Sequence, residues 1–250
     1  MWPRMGPIPA YGVFYFTAIV LHFPIAWWLA RRLGLQRRVW IAISCCYFLG
    51  MTVGAKILFD LRYDAVNFAA LLTAERWTRG GLWGGMLAYF ALAVPAALLL
   101  TRRRRAALDL VALTLPIPWI LGKIGCLFNG CCYGKPCSLP WAITFPEGAR
   151  GAPAGVPLHP TQLYEVGLLL FVLVVFAILR SDRWRGTKLL WFLLIYGFGR
   201  AALDFLRGET NPTYLGPLAL TQLVSLGAAA GALIALLLIR SRKTAVAPVD

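Results

Sequence analysis

The sequence predicts an all-α integral membrane protein of about seven transmembrane helices, and three observations carry that expectation. Hydrophobic residues make up 60% of the 250, charged residues only 14%, and the mean hydropathy is +0.69. A soluble domain sits nearer half apolar and a quarter charged. Apolar runs recur at lengths close to the roughly 20 residues that cross a bilayer, and basic residues collect after alternate runs.

The first run, 11–30, has only Arg4 before it and Arg31 and Arg32 directly after it. That is the reverse of a cleavable signal's charge order, so the run is expected to stay as an anchor. Arg37 and Arg38 then precede the second run, 39–59. The third run, 82–100, ends at Arg102, Arg103, Arg104 and Arg105, and the fourth covers 106–121. The fifth, 162–179, is followed by Arg180, Arg183, Arg185 and Lys188. The sixth covers 189–206, and the seventh, 218–239, ends at Arg240, Arg242 and Lys243. Every other connection is basic, which by the positive-inside rule puts the amino terminus outside and the carboxyl terminus in the cytoplasm. These clusters hold most of the 25 Lys and Arg residues, so the net charge of +15 reports topology. A nucleic-acid partner is not expected. Trp27, Trp28, Trp40, Trp83 and Trp191 fall near span ends, where aromatic belts form.

The chain shows no repeat, low-complexity tract or interdomain linker, so one multi-pass domain over 1–250 is expected. Only the 60–81 and 122–161 connections exceed a tight turn, both on the outer side. The second is rich in Gly, Pro and Cys, and loops of that length in a compact protein are usually functional or disordered. Trp141, Phe145 and Pro146 need something to pack on, which points to a re-entrant or interfacial segment.

Charges within the apolar runs mark function, because a cation at mid-bilayer costs about 3 kcal/mol on insertion scales and normally faces a cavity or partner. Lys56 lies near the end of the second run and Arg200 within the sixth, with Asp204 one helical turn on and Arg207 beyond it. Either an internal i,i+4 pair or an anion site reached from outside accounts for Arg200. Arg79, Lys123 and Lys135 add cations on the outer side, while Gly80, Gly81, Gly84 and Gly85 allow close approach of a ligand or a helix. Together the cations suggest a lipid phosphate. Of the two histidines, His22 lies mid-span, where an interhelical hydrogen bond is its expected role. His159 opens the fifth run on the outer side and is a candidate general base.

Cys45 and Cys46 are expected to be packing residues. Cys126, Cys131, Cys132 and Cys137 fall in the outer connection, where disulfides or a reactive thiol beside Lys123 or Lys135 are both open. Their spacing lacks the short paired intervals of a zinc ribbon, so no metal is expected, nor any cofactor.

These residues resemble the bacterial prolipoprotein diacylglyceryl transferase family. The resemblance spreads over Ala10-Tyr-Gly12, Gly54-Ala-Lys56, Gly80-Gly-Leu-Trp-Gly84, Gly122-Lys-Ile-Gly125 with Asn129-Gly130, His159-Pro-Thr-Gln-Leu-Tyr-Glu165 and Tyr196-Gly-Phe-Gly-Arg200. The His-Pro-x-Gln-x-Tyr-Glu segment is the specific part. The family implies a seven-span fold in the bacterial inner membrane, with its site facing outward. It also implies transfer of diacylglyceryl from phosphatidylglycerol to the lipobox cysteine of a secreted precursor. By resemblance Arg200 orders the lipid head with Tyr196 beside it, while His159, Gln162, Tyr164 and Glu165 shape the outer mouth. Lys123 stands where the family commonly has arginine, and Asn129 matches a family asparagine. Arg79 stands where it usually has histidine, Cys126 where it has asparagine and Cys131 where it has glutamate.

The expected site therefore comprises Lys123, Arg200 and Arg79 for phosphate and His159 as base. Lys56, Asn129, Gln162, Tyr164, Glu165 and Tyr196 bind and orient substrate, and the four loop cysteines form a separate thiol group. Two other functions stay open: the same fold acting on another lipid or thiol through those cysteines, and a lipid-binding or thiol-redox membrane protein without turnover.

Overall fold

The computed structural model describes residues 4–5, 8–57, 82–181, 184–208 and 213–245. Arg183 and the whole 60–81 connection, with Arg79, Gly80 and Gly81, lie outside the described residues.

Helices dominate. A two-stranded ribbon (Arg4–Met5 with Ile8–Pro9) leads into α1, Ala10–Arg32. α2 covers Arg37–Leu49 and runs on through a π-helical turn, Gly50–Gly54, to Ile57. α3 is Leu82–Leu99, α4 Arg104–Leu113 and α5 Pro116–Asn129. α6 is Thr161–Ile178, α7 Lys188–Asp204 and α8 Leu220–Ala245. Among the described residues, five helical segments are long and apolar enough to cross a membrane: Ala10–Arg32, Arg37–Ile57, Arg104–Asn129, Thr161–Ile178 and Leu220–Ser241. α3 and α7 occupy the other two apolar runs of the sequence.

The fourth apolar run folds as a helix pair with a local break. Thr114 turns its hydroxyl back onto the Leu110 carbonyl at 3.0 Å, and Pro116 restarts the helix with φ already set and no N–H to satisfy. Tyr89 on α3 donates to the Val111 carbonyl at 3.2 Å. α5 then continues to Asn129 and stops at Gly130, which has φ +71° and caps the helix by donating to the Cys126 and Leu127 carbonyls. The long connection thus begins about eight residues later than the sequence suggests. Lys123, Cys126 and Asn129 lie on a helix, not in a loop.

In lipid, apolar contact alone does not drive helices together, and small residues set their approach. A Cβ on Gly54 would sit 2.2 Å from the Ala88 Cβ, and one on Gly50 would sit 2.8 Å from the Tyr89 nitrogen. The π-helical turn therefore lies directly against α3, while the Tyr15 hydroxyl of α1 donates to the Met51 carbonyl within that turn. Ile43, Tyr47, Tyr89, Leu110, Trp119 and Phe192 form the centre of the bundle. His22 is wholly buried there. Contrary to expectation it makes no interhelical hydrogen bond among the described residues, and its ring stacks on Tyr47 at 4.0 Å.

The two ends of the bundle differ in charge. At one end Arg103 donates to the Gly34 carbonyl, and Arg32 lies over the exposed Trp28 ring at 4.3 Å. Asp109 accepts from the Gly186 and Lys188 backbone at 2.7 and 2.9 Å and pairs with the Lys188 ammonium at 3.4 Å. Lys188, counted above as a topological charge, is therefore a buried tie between α4 and α7. The opposite end carries the Gly130–Pro160 connection. Phe145 is 2% exposed and packs with Ala152 and Leu158, beside a short ribbon of Ile143–Thr144 with Pro157–Leu158.

Candidate functional site

Three helices, α5, α6 and α7, meet beneath that connection, with α8 behind α7. α5 packs on α6, α6 on α7, and α7 on α8. Lys123 sits a turn and a half before the end of α5, Glu165 in the first turns of α6, and Tyr196 and Arg200 in the second half of α7. All four are buried, Lys123, Glu165 and Arg200 each at 3% exposure. Sequence periodicity places Arg200 and Asp204 on one face, but only the packing brings α5 and α6 to the same point.

Glu165 is the hub. Its Oε2 lies 2.7 Å from the Lys123 ammonium, and its Oε1 accepts from the Tyr196 hydroxyl at 2.6 Å. Arg200 is within electrostatic reach of both Glu165 and Lys123. Its Nη1 lies 2.6 Å from Asp204 Oδ1, the expected i,i+4 pair, and Arg207 Nε approaches the same oxygen at 3.8 Å. Thr221 at the start of α8 donates to the other Asp204 oxygen at 2.9 Å. Arg200 Nε remains buried with no acceptor among the described residues. A buried cationic donor left open is costly unless something anionic completes it. Tyr196 is backed by Phe192 and Trp119 at ring separations of 5.3 Å each, which holds its hydroxyl on Glu165.

Other expected site residues form a rim. His159 Nδ1 lies 3.2 Å from the Tyr164 hydroxyl, which also accepts from Trp141 Nε1 at 2.8 Å. Trp141 is 57% exposed, so this chain of polar contacts marks the outer edge of the site. Gln162 and Thr161 hold the turn after α5 by donating to the Cys131 and Cys132 carbonyls at 2.8 and 2.6 Å. Gly134 is wedged between the two sides. It donates to the His159 carbonyl at 3.0 Å, while Lys135 donates to the Leu206 carbonyl at 2.8 Å. Lys56 is buried at 6% near the end of its helix, and Lys135 is exposed.

The cysteines do not form disulfides. Cys126, Cys131 and Cys132 gather with all three sulfurs within 4.8 Å of one another, while Cys137 stands outside the group. Asn129, expected to touch substrate, donates its amide to Cys131 Sγ at 3.4 Å. Hydrogen bonds from Cys126 and Cys131, with Arg207 and Lys123 adding charge, hold the Cys132 thiol well below the usual thiol range. For Cys131, hydrogen bonding with Cys126 pulls the thiol down, but the bond to Cys132 and burial outweigh it and push it up to about 12.

The sequence profile of the prolipoprotein diacylglyceryl transferases matches residues 4–238. The chain belongs to this family. It is 30% identical over 218 residues to the phosphatidylglycerol–prolipoprotein diacylglyceryl transferase of Coxiella burnetii (strain CbuG_Q212), covering 82% of this chain and 80% of that one. The enzyme of the same name from Agrobacterium fabrum (strain C58) is 30% identical over 229 residues, covering 81% and 77%. That from Aeromonas hydrophila subsp. hydrophila is 31% identical over 217 residues, covering 81% and 76%.

Within this diacylglyceryl transferase fold the buried quartet comes from separate parts of the chain, and two of its supports escaped sequence reasoning. Thr221 positions Asp204, and Gln222 accepts from the Ala219 nitrogen and donates to the Ala201 carbonyl at 2.9 and 3.2 Å. The available signal was a polar pair opening an otherwise apolar run.

Proposed function

We propose that this chain moves a diacylglyceryl group from phosphatidylglycerol to the cysteine thiol of a lipoprotein precursor at the outer leaflet of a bacterial inner membrane. Its family and its similarly named relatives support the reaction. The observation that carries it to particular residues is the open, buried Arg200 Nε beside the Lys123–Glu165 pair. A phosphodiester headgroup supplies the missing acceptor, and a low-dielectric surround strengthens its attraction to both cations.

The helices, with α3 and α7 added to the five segments above, make seven crossings with the amino terminus outside and the carboxyl terminus in the cytoplasm. The arginine-rich end then faces the cytoplasm and the quartet faces out, as the positive-inside rule requires. The 130–161 connection forms the outer functional region.

The reaction forms a sulfur–carbon bond as the glyceryl carbon–oxygen bond to phosphate breaks, and the bonding electrons leave with glycerol phosphate. Arg200 and Lys123 stabilise the charge that builds on that phosphate, with Lys56 and Arg79 as further cations. Glu165 and Tyr196 hold Lys123 in place, while Asp204 does the same for Arg200. His159, oriented by Tyr164, takes the thiol proton at the rim. Gln162 and Asn129 shape the turn that the acceptor peptide meets.

Purified protein in nanodiscs, given phosphatidylglycerol labelled in its glyceryl group and a lipobox peptide, should yield a thioether-linked diacylglyceryl peptide and free glycerol phosphate. A folded, lipid-bound sample that yields neither refutes the assignment.

A further inference from the structure

The Cys126, Cys131 and Cys132 cluster is built by local backbone geometry. α5 ends one turn after Cys126, Gly130 reverses the chain with φ +71°, and Cys132 itself sits at φ +59°. A non-glycine residue in that region costs about 1–2 kcal/mol, and Cys132 is the one positive-φ residue other than glycine among those described. The reversal folds Cys131 and Cys132 back over Cys126, with the turn pinned by Gln162 and Thr161. Packing alone calls for none of this, since a glycine at 132 would make the turn without strain.

We propose that these three cysteines form a site for one thiophilic divalent cation of the zinc class, whose fourth position takes the acceptor thiol. Zinc binds sulfur at about 2.3 Å in a tetrahedron, which sets sulfurs about 3.8 Å apart. From a separation of 4.8 Å, each sulfur closes by about 0.6 Å at most to reach that geometry. Neighbouring charge favours the same ion. Lys123, Arg200 and Arg207 against Glu165 and Asp204 leave one positive charge, and a divalent cation with three thiolates carries one negative charge.

The role of the fourth position rests on the transferase assignment above. Three protein donors leave one tetrahedral position for water or substrate. An acceptor thiol that displaces this water binds as thiolate, and its proton passes to His159 and on to solvent. The thiolate sulfur then forms its bond to the glyceryl carbon while phosphate leaves with the electrons of the broken carbon–oxygen bond. The thioether, a poor ligand, gives way to water.

The test separates metal binding from turnover. Nanodisc protein is kept reduced, stripped with a chelator, and titrated with Zn2+ and with Co2+ as a spectroscopic probe. One ion per chain is expected, with a Co2+ spectrum showing sulfur-to-metal charge transfer and tetrahedral intensity. Cys131→Ser and Cys132→Ser, both outside the helices, should abolish it with the fold intact, as should Cys126→Ser, whereas Cys137→Ser should retain it. Stripping should lower transfer about 100-fold or more, the scale of lost proton removal, with phosphatidylglycerol binding unchanged and Zn2+ restoring the rate. Absence of stoichiometric binding with the thiols reduced overturns the proposal, as does a disulfide among the three in the native protein. Bound zinc whose removal leaves transfer unchanged overturns the role of the fourth position. Because lipid binding is read separately, each of these results leaves the phosphate site standing.

Discussion

Lys123 and Glu165 stand 2.7 Å apart with almost no exposure, although 42 residues of sequence separate them. The pair ties α5 to α6 and aims a cation into the space beside Arg200. Burying both charges is expensive, and their attraction offsets that cost only with further hydrogen bonds such as the one from Tyr196. An arrangement of this kind reads more naturally as a site than as a device for stability.

Breaking the pair from one side strands a buried charge. Glu165→Leu should destabilise the protein by about 3–5 kcal/mol and abolish transfer. Lys123→Met with Glu165→Leu should recover most of the thermal stability, measured by unfolding in detergent, while transfer stays absent. Recovery of both together would mean that the pair only holds the helices.

Arg200→Lys retains charge but removes Nε, the donor left open in the buried site. Turnover should fall about 100- to 1,000-fold, as for loss of one donor to developing charge. Thr221→Val releases one Asp204 oxygen and should cost about fivefold, the effect of one hydrogen bond of about 1 kcal/mol. Steady-state kinetics with phosphatidylglycerol check both, and equal effects would sink the assignment of Arg200 Nε to phosphate.

Gly134→Ala puts a methyl group 2.4 Å from the His159 Cβ and 2.9 Å from the Leu206 carbonyl oxygen. The connection must then move off the rim, so transfer should be lost while circular dichroism still shows the full helical content. Gly167→Ala, with no atom within 4 Å of the new methyl, is the control. It should be neutral or stabilise by about 0.5–1 kcal/mol.

Asp109 receives two backbone donors and the Lys188 ammonium at the arginine-rich end. Asp109→Ala should lower stability by about 3–5 kcal/mol, seen as a lower melting temperature. Below that temperature the rate per folded molecule should be unchanged. A selective loss of transfer would show that this end communicates with the site.

Much of the fold is legible in the sequence because hydropathy is local: each apolar run reports its own need for lipid, whatever its neighbours do. The described helices follow those runs. The end of the fourth run was misjudged for a physical reason. Glycines and cysteines after Leu121 suggest a loop, yet Gly125 is helical, and its bare Cα lets α1 approach until a Cβ would touch Phe14 at 3.0 Å. Small residues at a helix contact and small residues in a turn look alike in a single sequence.

The same division runs through the site. Residue types and one-turn spacing determined which cations had to be hidden, and that Arg200 and Asp204 share a face. Tertiary packing decided that Lys123 meets Glu165 and that Thr221 holds Asp204, while the turn through Gly130 and Cys132, which residue types alone do not reveal, brings three thiols together and leaves Cys137 out. Spacing along one helix fixes its faces, but meetings between helices depend on crossing points set by contacts such as Gly54 against Ala88, which no local pattern encodes.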